Sequence, residues 1–336
     1  MRTIAFIGSD KNAGKTTALN FVYRKLSSAT SSPGRVCINS IGINGEESDY
    51  FDGKPKPSIV LQPDSYFITT PEHVSDFQNS FKLIEELNPP VFSRPYILAQ
   101  CTKSFSAVIE GPNCKSETAA LKETIQSTLA VDYFLIDGST DRQFLGDSSI
   151  SDGFFFSLLL SKEQDQLQRA HDLLYPLGLA NCPQTMRGAI NHHRQLSTKS
   201  ILLSRDHELN YHGNEIPFLD NQLKAHCQQG RHDEQGMLYL NGALSRSLAR
   251  LLAPFEDLKI VLDNFLLYQN IFSDSTEHIN FKPKLYLLHP VNLLAIFIRP
   301  QTPHLDKHAE TLNMIEFPTK VPVYNLFVEE PAAFSI

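Results

Sequence analysis

The chain has 336 residues, 41% of them hydrophobic, enough for one large or two ordinary globular domains with real cores. A formal net charge of −7 and an isoelectric point near 5.9 argue against nucleic acid as the main partner, because gripping a phosphate backbone demands a basic face. No apolar run approaches membrane-spanning length, no secretory-type apolar region opens the chain, and five scattered cysteines without a Cys-x-x-Cys pattern read as reduced thiols, so a cytoplasmic protein away from membranes is expected.

In chain order, the apolar run Thr3–Ile7 predicts a strand, and Ala18–Leu26 carries helical spacing. Between them lies Gly8-Ser9-Asp10-Lys11-Asn12-Ala13-Gly14-Lys15-Thr16-Thr17. Val36–Ile41 reads as a second strand, after a Ser/Pro/Gly-rich linker. Ser58–Leu61 and Tyr66–Thr70 flank a Pro63-Asp64 turn and suggest a hairpin. Phe77–Leu87 has apolar residues at helical spacing up to Asn88-Pro89-Pro90, and Tyr96–Cys101 with Ser106–Ile109 suggests another strand pair. Ser116–Leu129 is amphipathic and helical. Tyr133–Ile136, stopped by Asp137-Gly138, is a continuous apolar run of the kind a buried parallel strand shows. Phe154–Leu160 is another, with a helix over Lys162–Leu174.

Residues 181–234 are polar and rich in His, Gln and Arg, and predict an irregular connection with some helix. Gly236–Leu252 trends to helix again, and Lys259–Leu262, Lys284–Leu288, Leu293–Ile298 and Val321–Leu326 are further strand candidates. Strands alternating with helices predict an α/β fold: a mostly parallel sheet flanked by helices, with an antiparallel hairpin excursion. The expected division is a core with its hairpin insert over 1–180, an irregular or helical segment over 181–255, and strands completing the sheet over 256–336, in one or two domains.

Strand, glycine-bounded loop and helix in succession is the setting in which Gly-Lys-Thr binds phosphate. Backbone N–H groups from Gly8 through Asp10, Asn12, Ala13 and Gly14 to Thr17, with the positive end of the helix, cradle an anion. Lys15 then reaches the β- and γ-phosphates, and the Thr16 hydroxyl ligates Mg²⁺. This predicts a P-loop NTPase core with ATP and Mg²⁺ as ligands. No Asn-Lys-x-Asp follows an apolar strand, which favours adenine over guanine.

A phosphate loop needs an acidic partner for Mg²⁺ at the end of a neighbouring strand, and Asp137 has that context. A simple strand-end turn fits the same pattern. Arg142 suits either a phosphate contact or a surface ion pair. In the segment after the second strand, Glu46 and Asp49 suit water-mediated Mg²⁺ binding, action on a nucleophile, or a solvated acidic turn. Lys54-Pro55-Lys56-Pro57 suits a phosphate or partner contact or a plain loop, while Glu110 and Asn113 border a Gly-Pro turn that opens beside the site if their strand is central. His192, His193, His207, His212, His226 and His232 lack a zinc-binding helix pattern and read as surface histidines.

Five residues, not four, separate Gly8 from Gly14, and the loop therefore resembles the dethiobiotin-synthetase-like branch of phosphate-loop enzymes. A longer resemblance takes in Ile7–Thr17, Ser40–Glu46 with Asp49 and Lys56-Pro57, Gly111-Pro112-Asn113, Leu135–Arg142, Ser151-Asp152-Gly153, Leu293–Pro300 with Pro303, and Pro322–Asn325. On these pieces the chain resembles the phosphate-loop subunit of the ATP-dependent reactivase for adenosylcobalamin-dependent lysine 5,6-aminomutase and related ornithine enzymes. It departs at Ile43-Asn44, where Arg-Asp stands in the family, at Ser139 in place of Ala, and at Arg299 in place of Asn.

The resemblance implies an ATPase that works with a second reactivase subunit and a cobalamin-dependent aminomutase as client. ATP binding and hydrolysis bias a conformational equilibrium that lets damaged cobalamin leave and intact cofactor enter. Lys15, Asp137 and Glu46 are then the residues of the reacting site, and Thr16, Asp137 and Asp49 the metal-facing ones. Two other readings stay open: a dethiobiotin-synthetase-like ligase acting on a small carboxylic acid, and a module that binds nucleotide without turning it over.

Overall fold

Ile4–Ile7 and Phe134–Ile136 have no polar face, so neither can lie on a solvated side of a sheet, and both are wholly buried at its centre. The computed structural model describes residues 1–28, 34–44, 57–138, 143–160, 164–196, 200–203, 208–210, 237–268, 281–300, 321–326, 331 and 334. Strand β1 (Arg2–Gly8) leads through a loop into helix α1 (Lys15–Ser27). Then follow β2 (Val36–Ser40), β3 (Gly42–Asn44), β4 (Ile59–Leu61), β5 (Tyr66–Thr69), β6 (Phe81–Leu87), β7 (Tyr96–Cys101), β8 (Phe105–Ala107) and β9 (Ile109–Gly111). Helix α2 (Lys115–Thr128), β10 (Tyr133–Asp137), β11 (Gly153–Leu160), α3 (Gln164–Leu174), β12 (Ala180–Asn181) and α4 (Gln184–Leu196) come next. The chain continues through β13 (Ile201–Leu203), β14 (Glu208–Asn210), β15 (Met237–Leu240), α5 (Arg246–Leu252), β16 (Lys259–Leu262), β17 (Lys284–Leu287), β18 (Leu293–Pro300) and β19 (Val323–Tyr324).

Two compact units result: Met1–Glu163 with Asn292–Ile315 and Lys320–Ile336, and Gln164–Val291 with Glu316–Thr319. In the first, nine strands run in the order β19-β18-β11-β1-β10-β2-β5-β7-β6. All are parallel from β19 to β5, and β7 and then β6 add antiparallel at one edge. Helix α1 lays Ala18, Leu19, Phe21, Val22 and Tyr23 against Ile4, Phe6, Ile38, Leu135 and Phe155. Phe155 stacks on Phe6 at 5.3 Å and lies 5.3 Å from Phe297, joining β1, β11 and β18 by ring contacts worth about 0.5–1.5 kcal/mol each beyond area burial. The fold is thus mixed α/β with a largely parallel sheet flanked by helices. Among the described residues no helix is long and apolar enough to cross a membrane.

The second unit holds six strands in the order β12-β17-β16-β15-β13-β14, the first four parallel and the last two antiparallel. Ile190 of α4 packs with Met237, Tyr239 and Val261 on this sheet.

Several elements differ from expectation, each for a packing reason. Ile59–Leu61 and Tyr66–Thr69 do not pair with each other: β4 pairs with β8, and β5 with β7. Asp64 N–H donates to the Cys101 carbonyl and Cys101 N–H to the Ser65 carbonyl, so the turn is stitched to β7 and the two strands diverge. Likewise Tyr96–Cys101 and Ser106–Ile109 are not partners of each other, because the second run splits into β8 and β9, which meet β4 and β3. The helix expected over Phe77–Leu87 is the end of a 3₁₀ turn (Pro71–Phe77) followed by edge strand β6; backbone pairing to β7 overrides the helical preference of its Leu, Lys and Glu residues.

Gly236–Leu252 divides into a strand buried along its whole length and a short helix that starts where Ser245 Oγ accepts from Leu248 N–H. The described part of 181–234 contains α4, the helix expected there, and two short strands, β13 and β14, which were not expected. Of the four C-terminal strands, β18 and β19 extend the nine-stranded sheet, while β16 and β17 continue the parallel run of β15 in the six-stranded one.

One glycine is fixed by close approach. A Cβ on Gly111 would overlap the Asn39 carboxamide and stand 2.5 Å from the Ser40 carbonyl oxygen. Gly111→Ala is expected to cost about 1–3 kcal/mol, read as a lower urea midpoint; an unchanged midpoint would show that β9 can lift off β2 freely.

Candidate functional site

Parallel strands present their carboxyl ends at one edge, and in α/β sheets that edge carries the ligand crevice where successive connections part to opposite sides. Here β1 leads by way of α1 to β2, on the far side of β10, and β10 leads to β11, on the other side of β1. The register places Phe6 opposite Asp137 and Asp137 opposite Ser40, so the ends of β1, β10 and β2 are level.

The loop after β1 is shaped by two left-handed residues, Asn12 at φ 61° and Gly14 at φ 92°. Gly14 adopts that conformation without a Cβ penalty and begins α1 with no side-chain cap, which leaves the first turn open to an anion. Ala13 N–H donates to the Asp10 carbonyl at 3.3 Å, and Lys15 Nζ donates to the same oxygen at 3.0 Å. To do so the lysine lies across Gly8, where a Cβ would meet Lys15 Cγ at 2.8 Å, so the strand must end in glycine. Lys11 N–H donates to Asp10 Oδ1. Ser9 N–H donates to the Ser157 carbonyl, and its Oγ accepts from Leu159 N–H at 3.0 Å, anchoring the loop to β11.

Thr16, in the first turn beside Thr17, donates from Oγ1 to Asp137 Oδ2 at 2.8 Å. Asp137 is fully buried, and its Oδ1 finds no hydrogen-bond partner among the described residues. Burial pushes its carboxyl up to about 6, against the opposing pull of the Thr16 hydroxyl and the Lys15 charge. Gly138 follows where a Cβ would strike the Phe6 carbonyl. Ser40 Oγ donates to the Asp137 carbonyl at 3.4 Å and accepts from Asn44 Nδ2. A hydroxyl and an orphaned carboxylate oxygen are hard ligands, and they fit a Mg²⁺ ion that draws its other ligands from phosphate and water.

The structure therefore brings together Gly8, Asp10, Asn12, Ala13, Gly14, Lys15, Thr16, Thr17 and Asp137. Glu46, Asp49, Lys54, Lys56 and Arg142 lie outside the described residues. Glu110 is engaged elsewhere: its oxygens take His73 Nε2 at 2.7 Å and Arg94 Nη1 at 2.6 Å, and Arg94 Nη2 holds Glu72. Asn113 is exposed. His193, expected at the surface, is buried at 4% exposure in α4, while His207, His212, His226 and His232 lie outside the described residues. Cys37, Cys101, Cys114 and Cys182 are free thiols.

Sequence reasoning did not foresee the roles of Ser9, Ser157 or Arg299, whose Nη1 donates to the Asn12 carbonyl at 2.6 Å. Ser9 follows the end of β1 and Arg299 lies near the end of β18, where the chain departs from the family pattern, whereas Ser157 lies inside β11 with no local signal. Comparison with models of known protein families, with curated proteins and with solved structures finds no match to this chain.

The folded chain holds the Asp137 proton more tightly than the unfolded chain, so this group's contribution to stability is full below about pH 3.8 and is lost as pH rises through about 6. Asp137→Asn is expected to stabilise the ligand-free protein at pH 7.5 by about 3 kcal/mol, with the gain vanishing below about pH 4. Thermal melts at the two pH values check this, and equal gains at both would be the contrary result.

Proposed function

We propose that Gly8–Thr17 is the phosphate loop of a P-loop NTPase core that binds and hydrolyses ATP with Mg²⁺, and that the protein is the ATPase subunit of a reactivase for an adenosylcobalamin-dependent aminomutase. The observation that supports the nucleotide reading is the Thr16–Asp137 pair beside Lys15, at the uncapped start of α1. Burying a carboxylate with one oxygen unsatisfied is costly, and a cation at that oxygen offsets the cost.

In this reading the loop N–H groups and Lys15 hold the phosphates, and Thr16 and Asp137 would hold Mg²⁺, which supplies charge neutralisation on the β- and γ-phosphate oxygens. In hydrolysis the oxygen of water bonds to the γ-phosphorus as the bond to the β,γ-bridging oxygen breaks. The electron pair leaves with ADP, one water proton stays on inorganic phosphate and the other passes to solvent. The side chains position and neutralise; they form no covalent bond.

The client rests on the resemblance carried by Ile7–Thr17, Ser40–Glu46 with Asp49 and Lys56-Pro57, Gly111–Asn113, Leu135–Arg142, Ser151–Gly153, Leu293–Pro300 with Pro303, and Pro322–Asn325. Turnover would bias a conformational equilibrium in the mutase, with a second reactivase subunit, so that damaged cobalamin is exchanged. A ligase of the dethiobiotin-synthetase type needs a cationic clamp on a small acid. The candidates for that clamp, Lys54, Lys56 and Arg142, lie outside the described residues.

Lys15→Ala is expected to lower the ATPase rate by on the order of 100-fold while the protein stays folded. The assay is run alone and with a cobalamin-dependent aminomutase and its second subunit. Binding without turnover in the wild type would leave the non-hydrolysing module. Turnover that requires a small carboxylic acid and ignores the mutase would overturn the reactivase reading.

A further inference from the structure

One side chain reaches the loop from far along the chain. Arg299, near the end of β18, donates from Nη1 to the Asn12 carbonyl at 2.6 Å across a sequence separation of 287 residues. Strand β18 is two places from β1, with β11 between them, and Leu159 stands opposite Arg299. Neighbouring strands lie about 4.8 Å apart, so crossing β11 takes one of the longest side chains available.

What it grips is the left-handed part of the loop. Asn12 is one of two non-glycine residues at positive φ among those described, a conformation that Asn reaches more readily than most side chains but that its surroundings must still select. A loop cradles an anion only if its N–H groups converge and its carbonyls turn outward. Two carbonyls here are held by protein cations: Asp10 by Lys15 and Asn12 by Arg299. Charged donors make these bonds stronger than amide–carbonyl pairs. Lys15 belongs to the loop itself, whereas Arg299 ties the loop to a separate strand of the sheet. Ser9 makes a second tie, to β11, so both ends of the apex are fixed.

We propose that Arg299 is a positioning residue of the phosphate loop: it holds Asn12 in its left-handed conformation with the carbonyl turned away from the bound phosphates, and it adds a fixed positive charge at the rim that favours a γ-phosphate. This rests on the phosphate-loop reading. The cradle is then preformed, and its selectivity for triphosphate over diphosphate depends on a residue outside the loop motif.

The test uses the full chain with Mg²⁺ and compares ATP and ADP affinities by calorimetry for the wild type, Arg299→Gln and Arg299→Lys, alongside melting temperatures. The expected result is about a tenfold loss of the ATP-over-ADP preference in Arg299→Gln, an unchanged melting temperature, and substantial recovery in Arg299→Lys. An unchanged preference in Arg299→Gln would overturn the inference while leaving the phosphate loop intact. So would equal losses for both nucleotides together with a lowered melting temperature, since that describes a structural tie alone. A wild-type protein that binds neither nucleotide would sink the phosphate-loop reading and this inference with it.

Discussion

The hydrogen bond from Thr16 to Asp137 is the constraint on which the site depends. It joins the first turn of α1 to the end of β10 across 121 residues and places a carboxylate where water does not reach. Such a group is tolerated only with compensation, and three sources converge: the Thr16 hydroxyl, the Lys15 charge, and the cation that the proposed nucleotide would bring. Its geometry follows from strand order. Only because β10 lies beside β1, with Phe6 opposite Asp137, does the helix that leaves β1 begin over that carboxylate.

Stability and the site are separated within the first unit. The α1 face of the sheet is filled by Phe6, Phe155, Phe297 and the helix side chains, a base joined by ring contacts. The carboxyl edge carries the polar groups instead, where loops satisfy backbone donors and leave some groups for a ligand. Glu110 shows the alternative use of a buried charge. Fully engaged by His73 and Arg94, it fastens β9 to the 3₁₀ turn and to the chain entering β7, whereas Asp137 keeps one oxygen unsatisfied. That contrast, between a satisfied and an orphaned carboxylate, is what singles out the Asp137 end of the sheet.

Legibility followed burial. Tyr133–Ile136 and Phe154–Leu160 were readable as central strands because both faces are apolar and no helix of that length was needed. Phe81–Leu87 was not, because an edge strand has one half-exposed face and its Leu, Lys and Glu residues suit a helix equally well. The pairing of β4 with β8 was hidden for another reason: the Pro63-Asp64 turn looks like a hairpin locally, and only the bonds to Cys101 show the strands diverging. The strands near the C-terminus were found one by one, but their division between two sheets depends on which neighbour each meets, and all have similar apolar content.

The sequence by itself determined the loop between β1 and α1, because every feature it needs is local: a strand ending in glycine, a second glycine able to take a left-handed turn, and Lys15 and Thr16 immediately after it. It also marked Asp137 as a strand-end carboxylate, without saying what that carboxylate would face. Which groups meet at the loop was decided by the tertiary structure. Asp137 and Arg299 lie 121 and 287 residues from their partners there, and they arrive because β10 is adjacent to β1 and β18 is one strand beyond β11. Strand order arises from the packing of whole helices and faces, which no short stretch of residues encodes.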